Sequence, residues 1–406
     1  MTFARLRLCC LALLSLIVLA APAGARARPE HKPPVVILIS IDGFRADYLD
    51  RGVTPNLAAL ARRGTRAAMR PSFPSKTFPN HWSLVTGLRP DRHGITANRI
   101  EDPARPGQVF TMASDDPFWW SAATPLWIDA ERAGIRSATM FWPGSNVDFG
   151  ATRPADWQQY NQAVTATQRV NGVIDWLRRL PAIRPRFITL YFDTVDTIGH
   201  EYGPDDPRTT AALAEVDAQI GALVRDLAQL GQPADLVIVA DHGMAAISAE
   251  RVIRFDQIAE PALYRVIESG PFITLEPTPA NADKLAAAIL QPHGHMQCWR
   301  KDQIPEQLHY GRNPRVPPFL CLADPGWMIL PAAPEKPVSG GAHGYDNAAP
   351  EMAALFIAAG PHIRAHAPLA PFDNVDIEPL LRDLLCMPKD PAVDGTDTPF
   401  KELIRP

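Results

Sequence analysis

The chain of 406 residues predicts an α/β fold built on a mostly parallel sheet. Three observations lead there. Short apolar runs of strand length alternate with longer stretches of helical spacing, the pattern that βαβ units produce. Several of those runs are continuously apolar, as strands covered on both faces are. Three of them end directly in loops that carry aspartate or histidine, and no internal repeat interrupts the order.

Taken along the chain, the first 25 residues are not part of the fold. Arg5 and Arg7 make a basic head, Leu8 to Pro22 an apolar run, and Ala23-Gly24-Ala25 a small-residue cleavage pattern. This is the layout of a removable secretory signal, and the run is too short to span a membrane comfortably. The expected mature protein is therefore secreted, periplasmic and without a stable membrane anchor, with its catalytic domain over 30–406.

"VVILISIDG" (35–43) is a buried strand ending in a turn. Thr54-Pro55 opens a helix with a cap and a first-turn proline, and Gly64 closes it. "SATMFWPG" (137–144) and "RFITLYFDTVD" (186–196) read as further strands running into loops. "TTAALAEVDAQIGALVRDLAQLG" (209–231) is a long helix ended by glycine. "ADLVIVADHG" (234–243) and "MAALFIAAGP" (352–361) repeat the strand-then-loop form. From about 247 to 336 the rhythm breaks. A strand-like "GPFITLEP", a helix-like "NADKLAAAIL" and a Pro- and Arg-rich run suggest an insertion that forms a cap on the main sheet.

Composition narrows the function. A net charge of −4 leaves no basic footprint for wrapping nucleic acid. A hydrophobic fraction of 46% at this length supports a full core. The 42 prolines are scattered through connections rather than gathered in a tract. Outside the signal the cysteines are Cys298, Cys321 and Cys386. An oxidising compartment permits one bridge, and Cys298–Cys321 is the favoured pair because their flanks look like two sides of one subdomain. Cys386, in the apolar "LLCM", is then expected to be a buried free thiol.

The chemistry lies in where acidic and imidazole residues fall. Asp42 follows the first strand, Asp196 and His200 the strand at 186–192, and Asp241 and His242 the strand at 236–240. In an open parallel sheet the carboxyl ends of strands share one edge, so these loops converge there. His343, in "GGAHGYDN", precedes the strand at 352–358 and reaches the same edge if its Gly-rich loop crosses over. Three carboxylates, three imidazoles and Thr77 offer seven oxygen and nitrogen ligands and no thiolate, a set that suits two zinc ions. Singly, each residue has an ordinary reading: Asp42 as a turn residue, His343 as a loop histidine, Thr77 as a helix cap ahead of a helix from Pro79. With metals present, Thr77 becomes a competent nucleophile, because coordination lowers its hydroxyl pKa. His81 and His93 read as structural or supporting, and His293 and His295 as cap-loop residues.

The ordered motifs "ISIDGFR", "PSFPSKTFPNHWSLVTGL", "HGITAN", "FWPGS", "DTIGHEYGP", "ADHGM" and "GAHGYDN" resemble the nucleotide pyrophosphatase/phosphodiesterases of the alkaline phosphatase superfamily, over about 34–386. The resemblance implies an alkaline-phosphatase-like three-layer sandwich, with a mostly parallel central sheet and an inserted cap subdomain. It implies one zinc held by Asp196, His200 and His343, and another by Asp42, Thr77, Asp241 and His242. Thr77 would attack phosphorus to give a nucleotidyl-threonine, with Asn98 and the Phe78 N–H steadying a non-bridging oxygen. Phe78 and Tyr160 look like the aromatic pair that sandwiches the base of a small nucleotide substrate. "RSATMFWPGS" lacks the Lys-x-Arg pair of related monoesterases, and no Cys-x-Pro-x-Arg of a sulfatase is present. The rival expectation is a phosphomonoesterase, or a glycerophosphodiester or phospholipid-headgroup phosphodiesterase, on the same two-metal site.

Overall fold

The computed structural model describes residues 34–405, so the signal-like segment 1–25 lies outside the described residues. In chain order the strands used below are Val35–Ile41 (β1), Thr65–Arg70 (β2), Ser137–Met140 (β3), Asp156–Trp157 (β4), Phe187–Phe192 (β5) and Ala234–Val239 (β6). Tyr264–Glu268 (β7), Phe272–Pro277 (β8), Met296–Arg300 (β9), Phe319–Ala323 (β10), Ala354–Ala359 (β11) and Phe372–Asp373 (β12) follow. The helices used below are Pro55–Arg63 (α1), Thr77–Thr86 (α2), Leu126–Arg132 (α3), Ala166–Leu177 (α4), Thr194–Tyr202 (α5), Pro207–Leu230 (α6), Ala282–Ile289 (α7) and Ile377–Leu384 (α8).

The central sheet has the order β12-β2-β11-β6-β1-β5-β3-β4. Strand β1 lies in its middle, parallel to β5 and to β6. Every residue of β1 and β5 is buried, which is why neither shows polar alternation in sequence. Helices α1, α4 and α5 each pack against α6, and α2 packs with α3 and α8 in a second group. This is the three-layer, mostly parallel α/β sandwich that the sequence predicts.

One strand runs the other way. β11 pairs antiparallel with both β6 and β2. Its amino-terminal end therefore lies at the edge where the parallel strands have their carboxyl ends. The loop carrying His343 reaches that edge without crossing the sheet.

Two boundaries and one cap differ from the sequence reading. The strand read to 196 stops at Phe192, and α5 begins at Thr194, placing Asp196 and His200 four apart on one helix. Helix α2 begins at Thr77 rather than Pro79, because a proline within the first turn costs no hydrogen bond. Thr54 occupies the cap position of α1 but makes no cap bond. The first amides of α1, on Asn56 and Leu57, donate instead to the buried Asp217 of α6, at 3.1 and 2.8 Å.

The stretch 247–336 holds a second sheet, β7-β8-β10-β9, with α7 packed beside it. Phe255, Ile273, Leu275, Leu285, Ile289 and Phe319 form a core separate from that of the main sheet. Cys298 and Cys321 lie directly opposite on β9 and β10 and are disulfide-bonded. Cys386 is free, but it is exposed rather than buried. Helix α8 has ended at Leu384, and Cys386 takes a left-handed backbone conformation (φ 55°) that turns it out of the apolar face. Among the described residues, no helix is long and apolar enough to cross a membrane.

His93 is fully buried beyond α2. Its Nδ1 accepts from the Ile95 N–H at 3.1 Å, and its Nε2 faces Ser83 Oγ at 3.0 Å. Burial pushes its pKa down to about 3. A folded-state pKa below the unfolded value means that the unfolded chain takes the proton first, so stability falls as pH drops below the ordinary histidine range. In His93→Gln, the slope of unfolding free energy against pH should flatten by up to about 1.4 kcal/mol per pH unit between about pH 6 and 4, measured by denaturant titration.

Candidate active site and metal centre

The lead-in to α2 is held by one side chain. Asn80, fully buried, accepts from the Ser72 N–H at 2.7 Å and from Asn374 Nδ2 at 2.8 Å. Its own amide group donates to Pro74 O at 3.0 Å and Lys76 O at 2.8 Å. All four of its hydrogen-bonding positions are used, so the segment before Thr77 is fixed to the helix that follows. The cap position belongs to Lys76, whose side chain makes no cap bond. Thr77 is thus the first helical residue and not a cap. Its Oγ1 lies 3.3 Å from His242 Nε2.

The ligand candidates form two groups. Asp42, Asp241 and His242 offer donor atoms all within 4.8 Å of one another, and so do Asp196, His200 and His343. In the first group His242 Nε2 is 2.9 Å from Asp241 Oδ2 and 3.5 Å from Asp42 Oδ1. In the second, Asp196 has His200 Nε2 at 3.5 Å and His343 Nε2 at 3.7 Å. The His242 and His343 rings stack at 3.5 Å between centroids, so the two groups adjoin. The first group is wholly buried, whereas His200 is exposed at the cavity.

Each imidazole is oriented by a backbone carbonyl. His200 Nδ1 faces Gly341 O at 2.8 Å, His242 Nδ1 faces Gly243 O at 3.0 Å, and His343 Nδ1 faces Ser75 O at 2.8 Å. A carbonyl only accepts, so the proton sits on Nδ1 and the Nε2 lone pair points into the site, as metal-binding histidines require. Asp42 Oδ1, Asp241 Oδ2 and Asp196 Oδ1 are buried without a hydrogen-bond partner. Three orphaned anionic oxygens facing three lone pairs repel unless positive charge lies between them. The donor set therefore fits divalent metal, and the absence of thiolate suits a borderline or hard cation.

Electrostatics point the same way. Burial, then the charges of Asp241 and Asp196, push Asp42 well above the usual carboxylate range. Burial likewise raises Asp196, against the pull of His200 and His242. Burial opposes ionisation of Asp241, but His242 and His81 outweigh it and hold Asp241 well below that range. His242 is raised despite its burial, because Asp241 favours the charged ring. Burial and the neighbouring His242 depress His343, keeping it neutral.

Three supporting side chains escaped the sequence reading or were left undefined by it. The Tyr191 hydroxyl donates to Asp42 Oδ2 at 2.6 Å. His81 Nδ1 lies 3.3 Å from Asp241 Oδ2, and its Nε2 is 2.8 Å from Ser40 Oγ. Signals existed for both. A tyrosine inside a continuous buried strand needs a partner for its hydroxyl, and His81 stands four residues from Thr77 on one helix face. Asp193, held by Arg169 at 2.6 Å, accepts from the Tyr160 hydroxyl at 3.1 Å, and nothing in the sequence pairs those three.

A cavity of about 410 Å³ opens over the site. Asp42, Asp196, His200 and His343 line it, together with Thr77, Phe78, Asn98 and Tyr160. Phe78 is braced by Phe110 and Trp120, each at 6.0 Å between centroids. Tyr160 packs edge-on against Phe141 and Tyr191. Asn98 differs from its expected arrangement. Its Oδ1 accepts the Phe78 N–H at 3.0 Å, so that amide is engaged and the Asn98 NH2 group is the donor left over.

A sequence model described as type I phosphodiesterase / nucleotide pyrophosphatase matches residues 36–346, a span that holds every ligand candidate from Asp42 to His343. The chain belongs to this family. It is a hydrolase of the nucleotide pyrophosphatase/phosphodiesterase class. Among its relatives, the bis(5'-adenosyl)-triphosphatase enpp4 of Xenopus laevis is 39% identical over 352 residues, which is 86% of this chain and 77% of that protein. Human ectonucleotide pyrophosphatase/phosphodiesterase family member 5 is 35% identical over 356 residues, 86% and 74% of the two chains. The solved murine family member 5, as an inactive threonine-to-alanine variant in complex with AMP, superposes with a TM-score of 0.88 at 32% identity, covering 92% of this chain and all of that one.

Among the described residues, the Tyr191 hydroxyl is the one hydrogen-bond donor to Asp42 Oδ2. Tyr191→Phe should therefore weaken metal binding by about 10–100-fold, measured by chelator competition.

Proposed function

We propose that the protein is a secreted, periplasmic, two-zinc phosphodiesterase. It hydrolyses phosphodiester or phosphoanhydride bonds of small nucleotides and releases a nucleoside 5'-monophosphate through a covalent threonine intermediate. The observation that carries this reading is the position of Thr77 Oγ1, at the start of α2 and 3.3 Å from His242, on the wall of a cavity that both ligand groups border.

Asp42, Thr77, Asp241 and His242 would hold one zinc, and Asp196, His200 and His343 the other. Bound there, zinc would lower the pKa of the Thr77 hydroxyl and of an attacking water, and offset charge at phosphorus. Thr77 Oγ bonds to phosphorus as the bond to the leaving oxygen breaks. Water oxygen then displaces Thr77 Oγ, which regains its proton, and the monophosphate leaves. The Asn98 amide group donates to a non-bridging oxygen, its own carbonyl being anchored on the Phe78 N–H. Phe78 and Tyr160 hold the base, Phe78 braced by aromatic neighbours and Tyr160 by its bond to Asp193.

Charge supports a diester over a monoester. The segment after β3, which lines the cavity, contributes Trp142, Pro143, Gly144, Ser145 and Asn146, all uncharged. Lys76 is the only Lys or Arg among the lining residues. A dianionic phosphate would meet too little positive charge there. The insertion at 247–336 is assigned as the cap, and its disulfide agrees with an oxidising compartment.

Thr77→Ala should lower kcat by at least about a thousandfold while elemental analysis still finds zinc; full activity in that variant refutes the nucleophile. Exhaustive chelation should abolish turnover, and added zinc restore it. The p-nitrophenyl ester of a nucleoside 5'-monophosphate should be cleaved faster than p-nitrophenyl phosphate by orders of magnitude, roughly a hundredfold or more.

A further inference from the structure

One buried acid of the insertion serves no purpose in the insertion's own core. Between β7 and β8 the pairing slips at Val266 and Glu268, a bulge that re-aims the side chain. The Glu268 side chain is only 11% exposed. One of its oxygens lies 4.0 Å from Lys76 Nζ, and the other accepts the Arg99 N–H at 3.1 Å. Lys76 directly precedes Thr77, and Arg99 directly follows Asn98. A single carboxylate thus touches both loops that carry the proposed nucleophile and its oxyanion donor.

The Lys76 side chain is confined. Its ammonium stands 5.8 Å from the Phe272 ring of β8, and a Cβ at Gly344 would come within 2.9 Å of its Cε. At 4.0 Å from Glu268 it is attracted without being committed to a hydrogen bond, and it lines the cavity. Burying a carboxylate is costly unless something compensates, and here Lys76 and the Arg99 N–H, both of the main domain, supply the compensation.

We propose that Glu268 is a positioning residue for the hydrolysis, fixing the Asn98–Arg99 turn by its hydrogen bond and holding Lys76 where its ammonium meets a substrate phosphate. This rests on the function proposed above. The insertion then completes the wall of the active site rather than merely covering it.

The test uses the zinc-loaded protein and the p-nitrophenyl ester of a nucleoside 5'-monophosphate. Glu268→Gln keeps an oxygen for the Arg99 N–H but removes the charge facing Lys76; Glu268→Ala removes both. Glu268→Ala should lower kcat about tenfold, and Glu268→Gln should restore most of kcat while KM stays several-fold raised. In a Lys76→Met background, Glu268→Gln should add no further rise in KM, since the two act through one contact. Zinc content and melting temperature should match the parent protein for Glu268→Gln, which carries the test should the alanine variant fail to fold. Unchanged kinetics in both variants, independent effects in the double variant, or loss of activity only in step with loss of zinc or melting temperature would overturn the assignment. Failure of the underlying function reads differently, as a Thr77→Ala protein that still turns over.

Discussion

Three carboxylates gathered within a few ångströms in a protein interior form an arrangement that opposes folding. Asp42 and Asp241 are buried, and Asp196 nearly so, each with one oxygen lacking any hydrogen-bond donor. Like charges in a low-dielectric setting repel strongly, and withdrawing them from water adds to the cost. Protonation relieves them in part, as the upward shifts of Asp42 and Asp196 show, and positive charge at the centre relieves them with all three carboxylates ionised. The rest of the site can be understood as preparation for receiving it.

That preparation is made mostly by the backbone. The carbonyls of Gly341, Gly243 and Ser75 fix which nitrogen of each histidine is protonated, and they come from three different loops. Ser75 also donates its hydroxyl to Tyr345 O at 2.7 Å, tying the loop before Thr77 to the loop after His343. Asn80 fixes the same lead-in from the other side. The ligands are presented by mutually fastened loops on a rigid sheet edge, so little motion is needed to organise them when metal binds.

The parts of this structure that were legible in sequence share a physical cause. β1, β5 and β6 are covered on both faces, and continuous apolar runs announce such strands. Their ends fall where Asp42, Asp196 and Asp241 sit, so the sheet edge could be drawn from the chain alone. The long α6 announced itself by its spacing and its closing glycine. What stayed hidden depends on partners remote in sequence. Thr54 looks like a cap, yet Asp217, 163 positions later, supplies the bonds for α1. Cys386 sits in an apolar run but turns outward where the helix ends. The reversal of β11 leaves no local mark, because an antiparallel strand buried on both faces has the same composition as a parallel one. Tyr191 and His81 left signals that did not name Asp42 or Asp241 as their partners, and Glu268 touches Lys76 and Arg99 only because the fold brings them near.

The reversed strand also bears on biosynthesis. During synthesis Asp42 emerges early, and Asp241 and His242 two hundred residues later, so one ligand group can assemble once β6 pairs with β1. The second group waits for His343, which is held by the Ser75 carbonyl and lies on the loop that leads into β11 between β6 and β2. Loop closure of that range is slow. A nascent chain in which β6 has paired with β1 but β11 is not yet in place would bring Asp42, Asp241 and His242 together while the proposed second group still lacks His343.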